Sequence, residues 1–276
     1  MKNKIYSEEI QLTAQNLRVI DDSLFRLIVS RKDVCQEILQ TLLDDKHLRV
    51  LHVTPQDTIV SLHRGLILDC LCELGDGHIV NIEVQRGNKN DDIRRCRLHL
   101  SSITANSTPK GTDFADIPNV TIIYITEYDA LGNNQTITYT EMCQLRKTDS
   151  TYIPVKDGGL IIYANTCIKD DSDKSELLDL FLKKDSFDNK KFPHLSNAVK
   201  YFKDNREGVM EMCQIVEDFA KKYAQEYAQE YAKEKANERN IEIAKQLVAT
   251  TNLNDKEIAN ATSLNVEEVE KLRNIN

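Results

Sequence analysis

No stretch of this 276-residue sequence approaches the roughly 18 consecutive apolar residues that a membrane-spanning helix requires, so no membrane partner is expected. Residues 1–6 include two lysines but no apolar run follows them, which argues against a secretory signal and for a cytoplasmic protein. None of the seven cysteines (Cys35, Cys70, Cys72, Cys96, Cys143, Cys167 and Cys213) forms a CxxC pair, and their number is odd. No set of four zinc ligands at suitable spacing is visible, and Cys70 and Cys72 lie inside an apolar run, so buried reduced thiols are expected. The six histidines are scattered without an HExxH, which excludes a zincin-like hydrolase. Basic residues are outnumbered, 36 against 44 acidic, and the net charge of −8 argues against an extended nucleic-acid surface. A local grip on phosphate is still compatible with that charge.

What is present reads as a soluble globular chain, with 41% hydrophobic and 29% charged residues and enough length for one large domain or a domain plus an appendage. Apolar residues at helical spacing follow Asp22-Ser23, from Leu24 through Leu43, with a break near Ser30-Arg31. Residues 48–53 alternate and stop at Pro55, which predicts a short strand. Residues 66–74 and 78–85 predict two more strands, joined by the turn Gly75-Asp76-Gly77. A helix over 91–103 and a buried strand over 120–126 follow. The order α-β-β-β-α-β predicts an α/β fold, a mixed sheet with helices on its faces. Further strands are expected over 136–164, around the turn Asp157-Gly158-Gly159, and helices from about 170 onward.

The hairpin carries the chemistry. Alternate residues of a strand share a face, so Asn81, Glu83 and Gln85 point one way and Val80, Ile82 and Val84 the other. Asp69 sits between Leu68 and Cys70, where an aspartate is penalised unless a charge or hydrogen bond meets it. Centring the hairpin on Asp76 puts Asp69 directly opposite Glu83, with Cβ atoms roughly 4.5–5.5 Å apart. Two carboxylates that close repel, and a cation between them resolves the repulsion. Hard oxygen ligands favour Mg²⁺ or Mn²⁺, an ion suited to phosphodiester hydrolysis. A solvated strand edge would also account for such a pair. Just beyond it, Arg86, Lys89, Arg94, Arg95 and Arg97 face only Asp91 and Asp92, a local basic cluster.

At this point the sequence resembles the PD-(D/E)XK nuclease family transposases, also called recombination-promoting nucleases. Leu68-Asp69 followed by Asn81-Ile82-Glu83-Val84-Gln85 is similar to the family's LD…NIEVQ. Asp22-Ser23-Leu24-Phe25-Arg26, Arg94-Arg95-Cys96-Arg97, Gly111, Ile125-Thr126-Glu127-Tyr128-Asp129, Asp157-Gly158-Gly159, Lys203 and the segment from Glu207-Gly208 to Met212-Cys213 also match, in order, over essentially the whole chain. The resemblance implies a restriction-endonuclease-like fold and a metal-dependent endonuclease acting on double-stranded DNA, linked to recombination or mobile elements. It implies that Asp69 and Glu83 ligate the metal, with the Val84 carbonyl as a third ligand. Gln85 stands where the family name has lysine; it brings no charge, but its amide can orient water. Arg94, Arg95 and Arg97 are candidates to grip phosphates, and pairing with Asp91 and Asp92 is an equal alternative. Leu98 and His99 replace a tyrosine that relatives often carry, while Glu73 keeps an acid downstream of Asp69. Asp22 reads as the cap of the first helix, with Asp22 or Glu37 the alternative as a third metal-site acid.

The expected division is a nuclease-like core over 1–165, a helical subdomain over 166–206, a long helix over 207–250 and a short helical hairpin over 251–276. Tyr223, Tyr227 and Tyr231 repeat every four residues, about 400° of helix, so their stripe drifts around the axis. That suits a partly solvated spacer or a helix–helix contact, and self-association through it is an expectation. Asn254 with Glu257, and Asn265 with Glu268, form two capping boxes, but the acids of the last segment would repel phosphate. Two rivals stand beside the nuclease: a catalytically weak or inactive DNA- or protein-binding module of the same fold, and an interaction protein acting through the long helix.

Overall fold

The computed structural model describes residues 6–60, 65–87, 90 and 92–275; residues 1–5, read above for a secretory signal, and Lys89 and Asp91 of the basic cluster lie outside them. Two compact units divide the chain at Met1–Val216 and Glu217–Asn276.

In the first unit the central sheet has six strands in the order β1-β2-β3-β4-β8-β5. These are β1 (Val50–Val60), β2 (Gly65–Leu74), β3 (Ile79–Gln85), β4 (Val120–Thr126), β5 (Ile137–Thr140) and β8 (Gly159–Asn165). β6 (Cys143–Arg146) and β7 (Thr151–Pro154) form a separate two-stranded ribbon. β3, β4 and β8 run parallel, while β1 and β2, and β5 against β8, are antiparallel. The helices are α1 (Glu8–Asn16), α2 (Asp22–Val29), α3 (Lys32–Leu42), α4 (Asp92–Asn106), α5 (Asp173–Leu180), α6 (Pro193–Asp204) and the start of α7 (Arg206–Thr250).

Alternation along the strands sorts the core into two layers. Val80, Ile82, Ile123, Ile125 and Ile162 pack on one face against α2, α3, α5 and α6. Ile79, Val120, Ile122, Tyr124 and Tyr163 pack on the other face against Cys96 and Ile103 of α4. β4 is buried along its whole length, as a central parallel strand covered on both faces should be. Asp92, in the first turn of α4, is buried and accepts hydrogen bonds from the Tyr124 and Tyr128 hydroxyls at 2.8 and 2.6 Å, which seats the helix on β4.

Two expectations are corrected. The first strand does not stop at Pro55: β1 continues to Val60, with Pro55 opposite Cys70. It is an edge strand, where a missing N–H is tolerated, and the chain absorbs the proline with Gln56 in a left-handed conformation at φ 51°. Asp22 is not the cap of its helix. Asp21 occupies that position, and its carboxylate accepts the Arg18 N–H at 2.6 Å, leaving Asp22 in the first turn. Glu37 does cap, but a different helix: it accepts the backbone N–H groups of His194 and Leu195 at the start of α6, at 3.1 and 2.8 Å.

In the second unit α7 continues to Thr250, with Tyr223, Tyr227 and Tyr231 all exposed and the last two rings stacked at 6.4 Å. α8 (Asp255–Thr262) and α9 (Val266–Ile275) follow, and Ile258, Ala259, Leu264 and Val269 bury a small core with Ala244. Both capping boxes form, Asn254 with Glu257 and Asn265 with Glu268.

Gly208 is set by a close approach: a Cβ there would lie 2.1 Å from the Tyr201 carbonyl oxygen of α6. Gly208→Ala is therefore expected to destabilise the first unit by about 1–3 kcal/mol, read as a lowered urea midpoint at unchanged m-value.

Candidate active site

β2 and β3 pair in the expected register. Cys70 faces Ile82, Leu71 faces Asn81, Cys72 faces Val80 and Glu73 faces Ile79. The ladder ends there, and the next position along would join Asp69 to Glu83. On the other side of β2 the pairing also skips one step, between Pro55 with Cys70 and Asp57 with Leu68, opposite Asp69. Asp69 thus lies where the sheet's main-chain bonding is interrupted on both sides. Side chains take over: the Asp69 N–H donates to Glu83 Oε1 at 3.3 Å, and the Val84 N–H donates to Asp69 Oδ2 at 2.9 Å.

The polar face of β3 supports this pair from below. Asn81, fully buried, donates from its amide to Glu83 Oε1 at 2.6 Å. His99 of α4 is buried with Nδ1 3.3 Å from the same oxygen, yet outside hydrogen-bonding alignment. Glu83 Oε2 and Asp69 Oδ1 receive no hydrogen bond from the described residues. Above the pair opens a cleft of about 680 Å³, whose lining includes Asp22, Asp69, Glu83, Val84, Gln85, Arg94, Arg95 and His99.

Most of the residues singled out in the sequence therefore converge. Asp22 joins them from α2, as a wall of the cleft and not as a cap. Gln85 reaches the rim, where its amide donates to the Gly87 carbonyl at 2.8 Å. Arg97 is exposed and lies outside the cleft lining, and Glu73, four residues along β2 from Asp69, lies outside it too. Glu37 is engaged at α6. Arg86 lines the cleft and is anchored by Asp21 at 2.6 Å and Glu127 at 3.3 Å, while Arg18 forks onto Glu127. Asn81 and His99 were missed. Asn81 is two residues from Glu83 and His99 four from Arg95, so strand and helix periodicity held the signal for both.

Burial first, then the Glu83 charge, push the Asp69 carboxyl well above the ordinary aspartate range; the Val84 N–H and Arg95 pull it back. Such an acid is ill-suited to stand ionised without a cation. The donor set fits a hard one, since carboxylate oxygens converge and no cysteine lines the cleft.

The description of one protein family, the PD-(D/E)XK nuclease family transposases, matches residues 20–237. The chain belongs to this family. The mixed sheet with helices on both faces is the restriction-endonuclease-like architecture of these PD-(D/E)XK proteins, and the matched span contains the whole cleft. No curated protein and no solved structure matches the chain.

The raised Asp69 value has a signed consequence. Between the ordinary aspartate range and that raised value the native state keeps a proton the unfolded chain has lost, so stability of the metal-free protein falls as pH rises through the window. Asp69→Asn is expected to flatten that fall and to raise stability at neutral pH by about 1 kcal/mol, roughly 2–4 °C in Tm. Thermal melts from pH 4 to 8 in chelator check it; an unchanged pH slope would contradict the account.

Proposed function

We propose that this chain is a divalent-metal-dependent endonuclease that hydrolyses phosphodiester bonds in double-stranded DNA. The observation that carries the reading is the meeting of Asp69 and Glu83 at the floor of an open cleft with Arg94 and Arg95 in its wall. Asp69 and Glu83 would hold Mg²⁺ or Mn²⁺, and the Val84 carbonyl is the third ligand we assign. In a strand the N–H and C=O of one residue point to the same side. The Val84 N–H is turned to Asp69, and the carbonyl on that side has passed the end of the β2 ladder.

When bound, the ion supplies positive charge that polarises a phosphoryl oxygen and eases proton loss from water. The chain's own residues do the rest. Asn81 fixes the Glu83 carboxylate, so its second oxygen keeps one direction. Gln85, on the same face of β3 as Glu83, orients water through its amide without contributing charge. Arg94 and Arg95 offer guanidinium groups to the phosphates flanking the scissile bond. The negative net charge confines that grip to the cleft and away from a broad surface. The word transposase in the family description supports a link to recombination or mobile elements.

The test is cleavage of supercoiled plasmid by the full chain with Mg²⁺, Mn²⁺, Ca²⁺ or chelator. Nicking or linearisation with Mg²⁺ or Mn²⁺, reduced at least about a thousandfold in Asp69→Ala and in Glu83→Ala, is the expected result. Gln85→Ala should lose only about tenfold, because an orienting amide contributes less than a charged general acid or base. Folded protein that binds DNA but cuts it with none of these ions would sink the nuclease reading in favour of a binding module.

A further inference from the structure

On the sheet face opposite the carboxylates, three thiols converge. Cys70 and Cys72 project from β2 into the core beneath α3, where Cys35 meets them. The Sγ atoms of Cys35 and Cys70 are 3.8 Å apart, those of Cys70 and Cys72 are 3.7 Å apart, and all three lie within 4.8 Å of one another. All three residues are fully buried among apolar side chains, and the nearest backbone acceptor is the Val29 carbonyl, 3.1 Å from Cys35 Sγ. Residues 35 positions apart supply this convergence, which is why no spacing pattern in the sequence announced it.

The spacing suits a central ion. Metal–sulfur bonds of about 2.3 Å place sulfurs about 3.8 Å apart around a tetrahedron and about 4.0 Å apart around a trigonal plane. The donors are soft, unlike the oxygens of the cleft, so the ions the two sites select differ in kind. Among the described residues the group consists of three ligands, with no histidine, carboxylate or fourth thiol joining it. Structural Zn²⁺ takes four ligands, whereas Cu⁺ is a soft ion that thiolates select. Thiolates and not thiols are the ligands, so the thiol protons leave to solvent as the ion enters.

We propose that Cys35, Cys70 and Cys72 form a soft-metal site for Cu⁺, separate from the carboxylate cleft. The site staples α3 to β2 one residue away from Asp69, and it stands or falls independently of the nuclease reading.

The experiment is an anaerobic titration of the reduced full-length chain with Cu⁺ presented by a competing chromophoric chelator, and in parallel with Zn²⁺ against a zinc-sensitive dye. One Cu⁺ withdrawn per chain, with a rise in sulfur-to-copper ultraviolet absorption, is expected. That uptake should vanish in Cys35→Ala and in Cys72→Val, and persist in Asp69→Ala and in a Cys143→Ser/Cys167→Ser double variant lacking the two exposed thiols. X-ray absorption on the copper-loaded wild type, which needs no core substitution, should count three sulfur neighbours. No stoichiometric uptake, uptake that depends on the exposed thiols, or a copper shell of nitrogen and oxygen would each overturn the site. Zn²⁺ bound in place of Cu⁺ would overturn the choice of ion.

Discussion

Two acidic side chains are forced together across a sheet that stops bonding to itself where they meet, and the architecture is arranged around that constraint. Asp69 has lost its regular ladder partners on both flanks, and Glu83 and Val84 satisfy it instead. An arrangement of this kind opposes stability twice, by desolvating a carboxyl and by placing a like charge beside it. Packing around it offsets that cost: an all-buried β4 beneath, an apolar layer on either face, and α4 seated by Asp92 between two tyrosine hydroxyls. A desolvated pair of like-charged carboxylates held in a packed frame is the pattern expected of a site kept for chemistry.

Charge is handled outside the centre by a second device. Glu127, one residue beyond β4, is gripped by Arg18 and Arg86, and Arg86 also reaches Asp21 at the start of α2. Arg18 first, and then Arg86, hold the Glu127 carboxyl below its ordinary range, so this link is complete near neutrality and loosens in acid. The ends of β3, β4 and α2 are thereby tied together beside the cleft. Arg86 is thus occupied by carboxylates at the rim of the cleft, whose wall also includes Arg94 and Arg95 of α4.

Much of this was legible in the sequence because it depends on periodicity. The turn Gly75-Asp76-Gly77 and the alternation on both sides of it set the hairpin register, and the break at Ser30-Arg31 separates α2 from α3 as the apolar spacing implies. What escaped depended on context. Pro55 reads as a stop, but at a sheet edge a missing donor need not end the strand. Asp21 and Asp22 are equivalent cap candidates by type, and only the Arg18 backbone and the cleft tell them apart. Asn81 and His99 are uncharged or ambiguous in isolation, and become meaningful only once Glu83 is known to sit 2.6 and 3.3 Å away. The meeting of Cys35 with Cys70 and Cys72 is purely tertiary, invisible to any spacing rule.

Pro55 has a bearing beyond its own strand. β1 is the longest strand of the sheet and lies at its margin, where eleven residues of backbone would otherwise offer a template for a second chain to zip against. Proline removes one donor from that margin, and the left-handed Gln56 beside it kinks the pleat. The opposite margin, β5, is only four residues long. The irregularity across from Asp69 therefore also makes this margin a poor template for a further strand, so that one short piece of backbone both interrupts the ladder at the carboxylate and blunts the edge of the sheet.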